Sequence, residues 1–348
     1  MRKKSFFILL AIGNILTAEA QENKQTMNPF FQAYNTPFEV PPFDKIRNEH
    51  FKPAILEGIK KKEAEVDAIV NNKEVPNFEN TILAMENAGE LLSNVNIVFS
   101  NLNGANTNDE LQKIAKEVSP NLAAHNDNIY LNEKLFARIK TVWDKRESLK
   151  LNLEQAKILE NLHKAFVRSG ANLSVADKDK LRKINAELSI TSLKYGQNIL
   201  AETNKYELVI SDKKDLSGLP EGTIEAAKEL ATSQEKEGWI FTLDYPSYIP
   251  FVTYADNREL RKKMAIAFGA KAFQNNEFDN QENVLAIAKL RFKRANLLGY
   301  KTHSHFVLEE RMAESPEKVF SFLNDLLAKA KPAAQKEFAE LTAFAKEL

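Results

Sequence analysis

Five histidines are the first place to look for chemistry in this 348-residue chain: His50, His125, His163, His303 and His305. A helical zinc site for hydrolysis carries His-Glu-x-x-His, because side chains four apart share a face and the glutamate polarises the metal-bound water. The residues that follow the five histidines are Phe51, Asn126, Lys164, Ser304 and Phe306, so none of them opens that motif. His303-Ser304-His305 is the only close pair. On a helix, residues two apart point to nearly opposite sides and do not grip one ion. His305 and Glu309 could share a face, but a catalytic zinc takes three protein ligands and nothing nominates the third. The pair reads as surface or capping histidines near a helix start.

Other chemistries fare no better. There is no Gly-x-Ser-x-Gly elbow for a serine nucleophile. The absence of cysteine removes thiolates, disulfides, Cys-ligated zinc and iron–sulfur clusters. Gly218-Leu-Pro-Glu-Gly222 is a turn, since no Gly-Lys-Ser/Thr follows to make a phosphate loop. Lys60-Lys61-Lys62 sits among Glu57, Glu63 and Glu65, the pattern of a solvated helix face. No carboxylate pair has flanks that single it out as a general acid and base. Catalytic, cofactor-binding and metal-binding residues are therefore assigned to no position in this chain.

What surrounds these residues is helical. Hydrophobic residues make up 43% of the chain and charged residues 28%, as in a folded globular protein. Eleven glycines and 12 prolines are too few for the regular turns of a sandwich, barrel or propeller. Lysine and arginine (48) balance aspartate and glutamate (48), so no field favours nucleic acid or an anionic membrane. Helices are expected from Phe51; from Asn77 in one run through Phe99 to a break at Asn103-Gly104; and over about 107–126, 132–144 and 152–169. Ser174 and Asp177 resemble a capping box opening a rod of about thirty residues, with Leu181, Ile184, Leu188, Tyr195 and Ile199 on one face. The only strand signals are Tyr206–Ile210 and Trp239–Leu243, which bracket a helix near 221–234 and are closed by Asp244–Pro250. Helices resume near Asn257 and Asp279, another follows Tyr300, and a last one starts at Ser315-Pro316.

Both ends of the chain carry signals. Arg2-Lys3-Lys4, the apolar run Phe6–Leu16 and Ala18-Glu-Ala20 form a signal peptide, with Gln21 as the first mature residue. An apolar run of about 11 residues is too short for a bilayer core that needs about 20, so an exported, periplasmic protein with no membrane span after cleavage is expected. Its removal takes Arg2, Lys3, Lys4 and Glu19 and moves the net charge from 0 to −2. From Val319 on, Phe322, Leu323, Leu326, Leu327, Phe338, Leu341 and Phe344 recur at helical spacing with an expected kink at Pro332. No capping glycine, proline or polar tail precedes Leu348, so the chain reads as stopping inside a helix.

Six stretches in order carry a resemblance. They are Pro42-Phe-Asp-Lys-Ile46 with Glu49-His-Phe-Lys-Pro-Ala54; Asn77-Phe-Glu-Asn-Thr-Ile82; and Asn198-Ile-Leu-Ala-Glu-Thr203 with Leu216-Ser-Gly-Leu-Pro220. Then come Thr242-Leu-Asp-Tyr-Pro-Ser-Tyr248, Tyr254-Ala-Asp-Asn-Arg-Glu-Leu-Arg261, and Leu290–Tyr300 leading to Leu308-Glu-Glu-Arg-Met-Ala313. Together the chain resembles the amino-terminal half of the thimet oligopeptidase-like zinc metallopeptidases, nearest to the bacterial peptidyl-dipeptidases, or dipeptidyl carboxypeptidases.

The resemblance implies a mostly α fold: a long-helix bundle forming one wall of a neurolysin-like two-lobed peptidase, with a small strand pair near 206–243. It implies a channel for short unfolded peptides, and a zinc ion held by His-Glu-x-x-His and a downstream Glu that lie beyond this sequence. The domains expected are a signal peptide (1–20), an extended lead-in (21–43), an amino-terminal helical domain (44–205), a strand-containing connector (206–250) and the beginning of the peptidase domain (251–348). The function expected is the amino-terminal part of an exported peptidase that releases carboxy-terminal dipeptides, inactive as an isolated chain, with the carboxy-terminal half as its missing partner. The alternative is a non-catalytic helical periplasmic peptide-binding protein.

Overall fold

The computed structural model describes residues 28–348. The expected leader, residues 1–20, lies outside them. Twelve helices follow the lead-in: α1 (Phe51–Asn71), α2 (Glu90–Ala105), α3 (Asp109–Tyr130), α4 (Glu133–Asp144), α5 (Leu153–Arg168), α6 (Val175–Lys205), α7 (Glu221–Ser233), α8 (Tyr245–Tyr254), α9 (Arg258–Gly269), α10 (Gln281–Leu297), α11 (His303–Leu308) and α12 (Pro316–Glu347). Strands β1 (Leu208–Ile210) and β2 (Trp239–Phe241) pair antiparallel, with Val209 opposite Ile240. The mostly helical expectation and the single strand pair are both observed.

Helix starts follow their caps. Asn108, Asn132, Asn152, Ser174 and Ser315 each accept a hydrogen bond from a backbone amide of the first turn they precede. Pro316 then occupies the first turn of α12, where a missing N–H costs nothing.

Four apolar clusters hold these elements. Phe51, Ile55, Val95, Phe99, Leu111 and Val118 join α1, α2 and α3. Phe78, Ile82, Leu135, Ile139, Leu159 and Phe166 join the far half of α1 to α4 and α5. A third cluster (Leu208, Ile210, Phe241, Phe251 and Met264 among it) wraps the strand pair with α7, α8 and α9. Leu188, Ile287 and Leu290 join α6 to α10.

Three expectations need correction. The helix from Asn77 is not continuous: a π-helical turn (Phe78–Leu83) and a short helix (Ala84–Glu86) end at Gly89, whose φ of +88° suits glycine. The Gly89 amide then donates to Glu65 on α1, 2.7 Å away, so the break is anchored rather than loose. α2 in turn runs through Asn103-Gly104, one residue past the expected stop. Asp244–Pro250 is not a closing loop but the start of α8, because Pro246 sits in the first turn. At the far end, α12 continues through Pro332.

α12 stands apart from the rest. None of its residues is buried, and Phe338, Leu341 and Phe344 are each more than half exposed. Its contacts run through α11, where His305 Nε2 lies 3.5 Å from Glu317.

Gly58 sets the closest helix crossing. A Cβ there would lie 2.8 Å from the Leu92 Cα, so α1 and α2 touch backbone to backbone. In Gly58→Ala, helix propensity favours alanine by about 1 kcal/mol, while overpacking against an unyielding backbone costs about 1–3 kcal/mol. A net loss of up to about 2 kcal/mol in urea denaturation is expected, and a more stable variant would show that the crossing has slack.

Candidate functional site

A row of side-chain hydrogen bonds runs along the seam between α3 and α6. Arg182 donates to Asn128 at 2.9 Å, Asn185 to Asp127 at 2.7 Å, and Ser119 and Ser189 share a hydrogen bond at 2.6 Å. Gln197 donates to the Gln112 carbonyl at 3.3 Å. Residues 182, 185 and 189 recur at helical spacing on α6, so one face is a polar ladder, whereas Ile184 and Leu188 pack toward α10. A ladder of short side chains closes less tightly than interdigitated apolar ones, and two cavities open beside it.

The larger cavity, about 1230 Å³, lies between α2, α3 and α6. Asn87, Asn94, Asn96, Asn103 and Asn126 border it, offering amides that both donate and accept. His125 also lines it, only 5% exposed. Its Nδ1 faces Glu63 at 3.2 Å, and its buried Nε2 has no hydrogen-bond partner. The smaller cavity, about 380 Å³, lies between α3, α6 and α10 and shares Asn126, Tyr130 and Ser189 with the larger. Asp127, Arg168 and Arg294 contribute its charges.

The structure scatters the histidines. The His50 Nδ1 accepts from the Arg47 amide at 3.0 Å, a turn cap. His163 stacks on Trp143 with 4.4 Å between ring centroids, and burial lowers its pKa. His303 has a buried, unpartnered Nδ1; burial and then the nearby Arg291 and Arg294 lower its pKa. His305 pairs Nδ1 with the Thr302 hydroxyl at 2.7 Å. Glu309 does not join it but ion-pairs with Arg168 and accepts from the Tyr300 hydroxyl at 2.7 Å. Among the described residues no three His, Asp or Glu side chains come together in a way that could hold a metal ion. A zinc ion therefore does not fit them, and no step is derived through one.

The motifs that carry the resemblance are fasteners between elements. Asn77 and Asn80 cap the π-helical turn reciprocally, and Asn80 and Thr81 accept from Arg138 on α4 at 3.3 Å. Asn198 donates to Asn280 at 3.0 Å, and Asn280 to the Tyr195 carbonyl at 2.9 Å, fixing α6 to α10. The Ser217 hydroxyl donates to Asp256 at 2.6 Å, and Asn257 caps α9.

Residues 251–348 match the sequence profile of Peptidase family M3. Over 319 residues the chain is 36% identical to the dipeptidyl carboxypeptidase of Escherichia coli (strain K12), covering 91% of this chain and 47% of that protein. Residues 251–348 belong to peptidase family M3. It is also 33% identical over 315 residues to the dipeptidyl carboxypeptidase of Salmonella typhimurium, covering 90% of this chain and 46% of that protein. With the oligopeptidase A of Escherichia coli it shares 32% over 315 residues, 89% of this chain and 46% of that protein. The chain thus spans about half the length of the curated relatives it matches.

Sequence reasoning passed over Asp127, Arg168 and Arg294. Each stands among ordinary charged helix residues, and only the approach of α3, α5 and α10 sets them round one cavity. A charged residue at a spacing that otherwise faces inward is the one sequence signal they carry.

Asp127 has a pH signature. It is 6% exposed, and burial raises its pKa despite the opposing hydrogen bond from Asn185 and the pull of Arg182 and Arg294. Between the ordinary aspartate value of about 3.9 and the raised value, the folded state binds more protons than the unfolded one. Stability contributed here is present at low pH and is lost as pH rises through that window. Asp127→Asn removes the titration and keeps an acceptor for Asn185. Urea melts across pH 4–7 should show the variant gaining on the parent as pH rises, then levelling; a pH-independent difference would refute the assignment.

Proposed function

We propose that this chain is the amino-terminal part of an exported zinc metallopeptidase that takes short unfolded peptides and releases dipeptides from their carboxyl ends. The observation that carries this reading is the alignment with dipeptidyl carboxypeptidase over 91% of this chain but 47% of that protein. In this reading residues 28–250 build one wall of a peptide channel, and residues 251–348 begin the peptidase domain. The zinc and its His-Glu-x-x-His ligands come from sequence beyond residue 348, and the leader 1–20 directs the protein to the periplasm. Support for a missing half also comes from α12, whose apolar side chains have no cover among the described residues.

The 348-residue chain is expected to bind no zinc and to release no dipeptide from an N-acetylated tetrapeptide followed by mass spectrometry. One zinc per chain together with dipeptide release would overturn this. An open reading frame running past codon 348 to His-Glu-x-x-His is the matching genetic outcome. A stop codon there, with no second-half gene nearby, favours the peptide-binding alternative.

The exposed face of α12 makes a second expectation. Contiguous apolar surface of this kind drives association. Analytical ultracentrifugation should find the chain self-associating, and Phe338→Lys combined with Leu341→Lys should shift it toward monomer. A sharp monomer from the unaltered chain would mean that α12 folds back in solution.

A further inference from the structure

The smaller cavity beside the α3–α6 seam holds two opposite charges, Asp127 and Arg294, that act on each other without a direct ion pair. Arg294, on α10, is partly buried and makes no hydrogen bond or ion pair among the described residues; its side chain only passes over the Phe306 ring, at 5.6 Å. Its Nε is buried without an acceptor, a cost that a bound carboxylate would relieve. Asp127, across the same cavity on α3, takes a hydrogen bond from Asn185 on Oδ1 and none on Oδ2. Among the described residues no cation lies within ion-pair distance of it, and Arg182 and Arg294 act on it from farther away. Arg168, the third charge, is already satisfied by Glu309, by the Phe306 carbonyl at 2.6 Å and by the Tyr300 hydroxyl at 3.1 Å.

The geometry points to a binding site here for a free dipeptide, its carboxylate on Arg294 and its ammonium on Asp127. One open cation and one open anion leave the cavity with no net charge to offer, which disfavours a phosphate or any simple anion and suits a zwitterion. The Arg294 fork matches a planar carboxylate with two parallel N–H donors. On the lining of the same cavity, Asn126, Ser189 and Ser192 supply donors and acceptors for one internal peptide group, and Leu188 and Leu298 supply apolar wall for side chains. A cavity of about 380 Å³ is at the small end of ligand pockets and leaves no room for a long peptide. The larger cavity lies against it, with Asn126, Tyr130 and Ser189 on the lining of both. Burial depresses the Arg294 pKa and raises that of Asp127, as expected of charges waiting for a partner.

The choice of a dipeptide over another small zwitterion rests on the proposed peptidase reading; the site itself does not. Because the 348-residue chain is expected to have no hydrolytic activity, binding to it tests the site, whereas zinc content and dipeptide release test the reading. Isothermal titration calorimetry of the full chain with Ala-Ala, N-acetyl-Ala-Ala, Ala-Ala amide and inorganic phosphate separates the possibilities. Ala-Ala is expected to bind, each blocked form to bind at least about tenfold more weakly, and phosphate not to compete. Arg294→Gln removes a charge that makes no direct hydrogen bond or ion pair among the described residues, so it should fold normally by circular dichroism, yet lose at least about tenfold in Ala-Ala affinity. Arg294→Lys should recover part of that loss. No binding of Ala-Ala up to about 10 mM would overturn the site. So would equal binding of the blocked forms, or unchanged affinity in a folded Arg294→Gln chain. Single alanine binding as tightly as Ala-Ala would reject the dipeptide.

Discussion

The seam between α3 and α6 is held by hydrogen bonds more than by buried side chains, and the arrangement of the amino-terminal bundle depends on it. Four successive contacts, from Arg182–Asn128 to Gln197–Gln112, run along most of α3 and the middle of α6. Each such bond has a modest net worth because water competes for the same groups, about 0.5–1.5 kcal/mol. Apolar interdigitation would grip harder but would fill the space. With short polar side chains instead, the helices stay in register while the gaps on either side remain wide enough to be cavities. α6 is free to be polar on that side because α10 supplies its apolar contact on another, through Leu188, Ile287 and Leu290.

This division explains what could be read in advance. The apolar recurrence at Leu181, Ile184 and Leu188 correctly marks a long rod, since burial on one face imposes the 3.6-residue period. The polar face leaves no such trace: Arg182, Asn185 and Ser189 look like solvated positions until α3 is laid across them. Most helix starts were legible because Asn and Ser caps act within three residues. The break at Gly89 was not, because it is stabilised from Glu65, 24 residues away. The cavity lined by Asp127 and Arg294 was invisible for the same reason, its walls arriving from distant parts of the chain.

The family resemblance has a structural basis that is separate from chemistry. Asn77, Asn80, Asn198, Asn257 and Asp256 fasten one element to the next with side-chain hydrogen bonds. Arg138 is the buried centre of one such fastening: it also donates to the Asn72 carbonyl at 2.8 Å, tying α4 to the chain leaving α1. Where the fastening is buried, as at Arg138–Thr81 and Asn198–Asn280, replacing either partner leaves the other buried and unpaired. That is why motifs without a single catalytic group identify the chain so well. The histidines, by contrast, serve five local purposes with no common site.

α12 is a lever. Its 32 residues extend about 48 Å at 1.5 Å per residue, and it meets α11 near its first turn, where Glu317 faces His305, beside the left-handed Glu314. A rotation of about 5° at that joint moves the far tip by about 4 Å over this length. Whatever packs along the helix therefore has its position dictated by a joint of three or four residues. Small rearrangements around Arg168, Tyr300 and Glu309, which seat α11, would be magnified roughly in proportion to the length of the arm.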